Sequence, residues 1–437
     1  MQGAVLRISA KRILLLPVML FLYVFLNAQT AGETEESPYD NLIFKAAVFG
    51  PSDEIFIWWG HAALIVEYTG FGYARIFDWG IFYYDGDNFM KEFALNRIRY
   101  KCGSSYAQRD IDDYIKEDRD IVIYTLDIDA SRKKEILDYA ENNILPENCW
   151  YIYHEFYDNC STRIRDLVNM GTGGQLKEYA ESSRGRFTYR EHMRRFTWYS
   201  PFYDWFIGFL MGRNIDRKIN IWQEMYLPIE LGRTIEDFSY IDDSGNERKL
   251  VSSVEIVNRT KNRKEVLDAP RSQLPRCLAA GLAIALLPAL ILLIRRKYPK
   301  AGRILWGTSQ TLLGSAFGIA GTILLMSSRI EERDIMRHNV NLLFVNPLLL
   351  IAIPLGICAA ADKKINLGKF SVSFEKCLWL IWFYVFITAL VSGLLGFIPA
   401  LYQENQSTLL LVFPAIFVFI LPGLSGFWRK IRPTCPA

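Results

Sequence analysis

Two hydrophobic rhythms divide the chain. From residue 278 onward, uninterrupted apolar runs follow one another: Leu278–Ile294, Ile304–Met326, Leu342–Ala361, Leu378–Leu401 and Leu409–Trp428. Each approaches the roughly 20 residues that cross a bilayer as a helix. So many in succession exceed what a soluble core could bury, so a bundle of about five transmembrane helices is predicted. Pro288, Pro347, Pro354, Pro399, Pro414 and Pro422 fall in or beside these runs, where membrane helices tolerate proline. Residues 32–270 instead mix polar and apolar positions over a length able to bury a core of its own.

Within that first part the rhythm is shorter. "EIFIWWGHAALIVEY" and "YARIFDWGIFYY", separated by a "TGFG" turn, read as strands, and "RDIVIYTLDI" as a third. "SRKKEILDYAENN" reads as a helix opened by Ser131. "YDNCSTRIRDLVNM" reads as a turn running into an amphipathic helix, with Ser161 or Thr162 as cap and Ile164, Leu167 and Val168 on one face. The pattern predicts an α+β exported domain followed by an all-α membrane bundle. Residues 171–270 give no clear element. Their segment "SPFYDWFIGFLMG" is aromatic enough for an interfacial helix or a lid over a lipid site, and equally suits a buried helix.

The ends and loops set the topology. Arg7, Lys11 and Arg12 precede the short apolar run Ile13–Leu26 and then small or polar residues, the arrangement of an export signal or N-terminal anchor over residues 1–31. "RRKYPKAGR" (295–303) carries five Lys/Arg and no acid, "ADKKINLGKFSVSFEK" carries four Lys, and "WRKIRP" three more basic residues. Basic loops stay cytoplasmic, so residues 32–270 are expected outside, a bundle over 275–428, and a cytoplasmic tail over 429–437. The expected location is the cytoplasmic membrane, with the larger domain on its outer side.

Composition then excludes several classes. A net charge of +3 without a Lys/Arg-rich aromatic tract gives no nucleic-acid footprint. Four histidines without His-x-x-x-His or Cys-x-x-Cys spacing argue against a metal site, and neither a phosphate loop nor a Gly-x-Ser-x-Gly elbow is present. No cofactor is expected. Of seven cysteines, Cys102, Cys149 and Cys160 lie in the exported part. Three cannot all pair within one chain; a Cys102–Cys149 disulfide is one arrangement that leaves Cys160 free.

Cys160, at the start of its helix, is the candidate nucleophile, because a helix N-terminus and a nearby imidazolium both favour thiolate. His61, which alternation places on one face with Ala63 and Ile65, is the candidate base, and Gly60 beside it leaves room for backbone or ligand. His154 and His192 are the alternatives. Asp78 on the adjacent strand could orient His61. Asn159, with the Cys160 backbone N–H, could face a developing oxyanion. Arg165 and Asp166 read as a structural ion pair. A buried packing thiol and a core histidine are the plain alternatives.

"GHAALIVE", "FDWGIF" and "YIYHEFYDNCSTRIRD", followed by "HNVNLLFVNPLLL" (338–350), together resemble the Bacteroidota-type lipoprotein N-acyltransferase family, Lnb, over nearly the whole chain. More distantly, a histidine strand before a cysteine at a helix start is similar to circularly permuted papain-like hydrolases and acyltransferases. The resemblance implies a bacterial inner membrane with a papain-like domain facing the periplasm, and an acyl-thioester on Cys160, with His61 as base. It implies a phospholipid donor and a diacylated lipoprotein whose N-terminal amine accepts the chain. Tyr153, Asn159, Arg163 and Arg165 match motif positions to which it attaches no role. His338 and Asn341, where the bundle should meet the outer surface, could line a lipid path or cap a span. Lipid or amide hydrolysis by the same thiol, and a non-catalytic membrane sensor or scaffold, remain the competing readings.

Overall fold

The computed structural model describes residues 39–54, 57–82, 92, 99–329, 334–367 and 370–431; the expected signal or anchor over residues 1–31 and the last residues of the tail lie outside them. Alternating apolar residues build a seven-stranded antiparallel sheet. Its strands are β1 (Leu42–Phe49), β2 (His61–Tyr68), β3 (Tyr73–Phe82), β4 (Arg99–Tyr106), β5 (Ile121–Leu126), β6 (Trp150–Ile152) and β7 (Val251–Asn258), in the order β7-β5-β1-β2-β3-β4-β6. The three expected strands are β2, β3 and β5. The first of these is shorter than its apolar stretch, because Trp58 and Trp59 turn the chain before His61.

Both faces of the sheet are covered. One carries Ala62, Leu64, Val66, Phe77 and Trp79 and packs against Ile164, Leu167 and Val168 of a helix over Cys160–Gly171. The other carries Ala63, Ile65 and Ile76 and meets a helix over Ala107–Lys116 through Ala107, Ile111 and Tyr114. These two helices are α1 (Ala107–Lys116) and α3 (Cys160–Gly171); α2 (Ala130–Asn143) lies between them in the chain, and α4 (Tyr189–Thr197) and α5 (Pro201–Leu210) follow. Helix α2 starts one residue before Ser131, whose hydroxyl donates to Asp243 rather than capping the helix.

Five apolar stretches follow, each long enough to span a membrane: α6 (Leu274–Lys297), α7 (Pro299–Ser327), a broken span over 340–360 that ends in α8 (Ala352–Ala360), α9 (Phe374–Leu395) and α10 (Gln406–Ile431). The α+β domain followed by a five-helix bundle is therefore the fold the sequence predicted. Outward-facing leucines such as Leu282, Leu286 and Leu290 are more than half exposed, as lipid-facing positions should be. Trp306, Phe317, Trp382 and Phe419 fill the bundle's interior.

Candidate active site

The site grows from the register of one hairpin. β2 and β3 pair with Ala63 opposite Asp78, so Asp78 shares a sheet face with Ala63 and with His61 two residues away. Diagonal neighbours on one face lie within reach of longer side chains. His61 Nε2 meets Asp78 Oδ1 at 2.9 Å, and the two side chains are 13% and 17% exposed. A carboxylate accepts, so Nε2 carries the proton and Nδ1 is the nitrogen left to exchange one. Gly60, just before His61, has φ +84, and a side chain there would meet Phe49 O at 2.6 Å. The room it leaves is taken by backbone.

Helix α3 brings the thiol to this end of the sheet from the opposite face. Asn159 is its N-cap: Asn159 Oδ1 accepts from Thr162 N at 2.9 Å while Thr162 Oγ1 accepts from Asn159 N at 2.8 Å. This capping box holds Cys160 in the first helical position, where the dipole favours an anion. The expected cap, Ser161 or Thr162, is thus Asn159, with Thr162 as its reciprocal partner; Ser161 is buried and donates to Met225 O. Gly80 separates the two chemistries. A Cβ on it would stand 3.5 Å from His61 Cε1, 4.0 Å from His61 Nδ1 and 3.7 Å from Cys160 Cβ. Cys160 and the Nδ1 edge of His61 therefore border one small space.

Electrostatics favour a charged histidine. Burial opposes the imidazolium, yet Asp78, Tyr114 and Cys160 together hold the His61 pKa well above 6.5. Two phenols complete the surroundings. Tyr153 stacks on Tyr100 with ring centroids 4.3 Å apart. Burial, then the neighbouring Cys160, keeps both Tyr151 and Tyr153 well above the usual phenol range, so each is a neutral donor. The Tyr151 hydroxyl is buried without a hydrogen-bond partner.

Residues 34–195 match the Lnb N-terminal periplasmic domain, and residues 274–393 match the Lnb transmembrane domain. The chain belongs to the Lnb family. No curated protein and no solved structure matches it. It is a multi-pass membrane protein with a periplasmic domain, as the export signal and the basic loops predicted. The sheet, the His61–Asp78 pair and Cys160 all fall within the periplasmic match, and the family is consistent with an enzyme.

Other sequence candidates sort by what they touch in the Lnb fold. Asn159 spends both amide hydrogens on Glu155 O and Tyr226 O, at 2.8 and 3.1 Å. Those two carbonyls take the hydrogens that the expected oxyanion role would need. Arg163 grips Asp158 with two bonds of 2.6 and 2.7 Å and lies over the Tyr151 ring, so it braces the loop before Cys160. Arg165 pairs with Asp166, donates to Trp222 O and stacks on Trp222, a structural pair as the sequence suggested. His154 accepts from Phe156 N and Tyr157 N and faces Asp334. His192 is fully buried between Glu224 and Arg195. Neither competes with His61.

Asn341 is buried, not lining a path: it donates to Phe209 O and accepts from Asn405. His338 is exposed with φ +56, one residue before Asn339 caps the broken span. Cys102 N donates to Cys149 O at 2.8 Å, yet both thiols are free; burial pushes the Cys102 thiol up to about 12. Sequence reasoning missed Gly80, Tyr114 and Tyr151. Of these, only Gly80, a glycine inside a strand, carried a signal.

Proposed function

We infer that this protein is a cysteine N-acyltransferase that moves a fatty acyl chain from a phospholipid to the N-terminal amine of a diacylated lipoprotein. The observation that carries the reading is Cys160 at a capped helix N-terminus, facing the Nδ1 edge of a histidine whose Nε2 is held by Asp78. With its pKa held well above 6.5, His61 is suited to take the Cys160 proton as attack begins and to hold it as imidazolium.

The thiolate of Cys160 attacks the ester carbonyl of the donor. Collapse of the adduct breaks the bond to the glycerol oxygen, which leaves as a lysophospholipid with the proton from His61 Nδ1. The acyl chain is now a thioester on Cys160 and His61 is neutral. The lipoprotein amine attacks that thioester, His61 takes the amine proton, and the amide departs as the resting pair re-forms. Asp78 holds one tautomer through both halves. The Cys160 N–H and the free Tyr151 hydroxyl suit the oxyanion of each adduct. Cys160 is 5% exposed, and such burial keeps water from the thioester, which favours transfer over hydrolysis.

Mass spectrometry of peptides spanning Cys160, from protein purified with its lipids, tests the reading. A hydroxylamine-labile acyl mass on Cys160, lost in His61→Ala and discharged onto a diacylated lipopeptide, supports it. Free fatty acid as the main product would make the protein a hydrolase. A Cys160 never acylated under excess phospholipid would overturn the thiol route.

A further inference from the structure

Helix α5 is the segment that the chemistry above leaves unused. Its sequence, "PFYDWFIGFL", is two-faced. One face is anchored. Asp204 is buried and accepts from Thr197 Oγ1 at 3.1 Å. Phe209 packs inside the membrane bundle, and Trp205 Nε1 donates to Thr408 Oγ1, the third residue of α10, at 3.2 Å. The carbonyls at its C-terminal end are held by the bundle: Asn339 donates to Phe209 O and Leu210 O at 2.9 and 3.1 Å, and Asn341 donates to Phe209 O at 3.2 Å. These contacts fix α5 at the ends of the spans remote from the basic loop 295–303, within about a turn of where α10 begins.

The other face is open. Phe202, Tyr203 and Phe206 are 59%, 40% and 36% exposed, and the two phenylalanine rings lie nearly parallel with centroids 5.4 Å apart. The edge borders Trp205, whose ring lies 6.3 Å from that of Phe202 and 6.4 Å from that of Phe206 and packs against the bundle's core. It also reaches toward the site: Tyr203 meets Trp58 edge-on at 5.1 Å, and Trp58 lies three residues before His61. Aromatic side chains of this kind gather at the membrane–water interface, and a helix with one anchored and one apolar face lies in that plane.

We propose that α5 is an interfacial helix whose Phe202–Tyr203–Phe206 edge enters the outer leaflet, so that donor phospholipid is met along this edge, beside Trp58 and the histidine strand. The statement about donor rests on the acyl-transfer reading; the contact with lipid does not. Three features set the occupant as a bilayer: the edge is fixed to the spans, it carries no charge, and it lies within about a turn of the outer end of α10.

The test uses the full chain in nanodiscs of phosphatidylethanolamine and phosphatidylglycerol, with the photoreactive p-benzoylphenylalanine at position 202 or 206. The control carries it at Phe71, which is 80% exposed in the β2–β3 turn. Irradiation should give phospholipid-mass adducts at 202 and 206 at least about tenfold more often than at 71. Equal frequencies, or adducts to protein in place of lipid, would overturn the proposal. A second arm uses Phe202→Ser with Phe206→Ser. Release of lysophospholipid from a bilayer donor should show a several-fold higher apparent KM, while turnover of a monomeric short-chain ester stays unchanged. An unchanged KM would overturn the donor statement. Wild-type protein that forms lipid adducts but releases no lysophospholipid would sink acyl transfer and leave the lipid contact standing.

Discussion

Gly80 lies between His61 and Cys160, and a methyl group on it would touch both, 3.5 Å from the imidazole and 3.7 Å from the thiol-bearing carbon. Its φ of +132 adds backbone strain for any other residue. Gly80→Ala is expected to fold and to lose activity by about two orders of magnitude, the scale of a mispositioned proton transfer. Retained lysophospholipid release at wild-type rate would show that the space between the two side chains is not where the reaction runs.

Asp78→Asn removes the first-named group that raises the His61 pKa against burial. In the first half-reaction, read as the burst of lysophospholipid so that the acceptor amine does not titrate, the alkaline limb reports the Cys–His pair. For wild type that limb lies well above pH 6.5; in Asp78→Asn it moves down. A limb that stays put in the variant would remove Asp78 from the orienting role.

The same shift makes a stability statement. A histidine whose pKa is raised on folding contributes stability that is whole below about pH 6.5, its unfolded value, and is lost as pH climbs through the folded value. The stability difference between wild type and His61→Gln should therefore shrink from acid to alkaline pH, read by thermal unfolding in detergent. A difference that grows with pH would mean a neutral resting histidine.

Tyr151→Phe deletes one buried hydroxyl that has no partner and leaves the ring under Arg163 intact. No bond is broken, so stability should hold or rise slightly. Loss of an oxyanion donor costs roughly a hundredfold in kcat. Unaltered kcat would assign the oxyanion to backbone alone.

Asn341→Ala strips one donor from Phe209 O and leaves Asn405 short of an acceptor. The cost of such orphaned buried groups is about 1–3 kcal/mol. The effect should appear as easier separation of the periplasmic domain from the bundle in limited proteolysis, with the Cys160 thiol unchanged in reactivity toward a soluble alkylating agent. A slower alkylation would place Asn341 in the site after all.

The sequence made the His61–Asp78 pair legible because a short "TGFG" turn between two period-two segments leaves little freedom of register. Cys160 was legible because turn-formers precede an amphipathic run. Asn159 was misread for a physical reason: an amide suits an oxyanion and a helix cap equally, and only the carbonyls of Glu155 and Tyr226 decide between them. Gly80 was hidden because the β3–β4 register shifts between Trp79 and Ile81, which no alternation pattern announces. The buried place of Asn341 depends on a carbonyl 132 residues away, in a segment without clear periodicity. Strands β1, β4, β6 and β7 were passed over, β4 because "RYKCGSSY" has little apolar alternation.

The clasp between α5 and the bundle changes what the chain connection near residue 270 is for. Arg194 reaches Glu404 and Arg271 O, Asn214 donates to Asp334 O, and Gln403 joins Val340, Met211 and Asn339. The two halves are thus joined as subunits are, through an interface of satisfied polar groups around a buried aromatic. The covalent bond supplies proximity during folding, and the interface keeps the end of the sheet that carries His61 and Cys160 at a constant height above the bilayer, as a fixed stand-off in place of a tether.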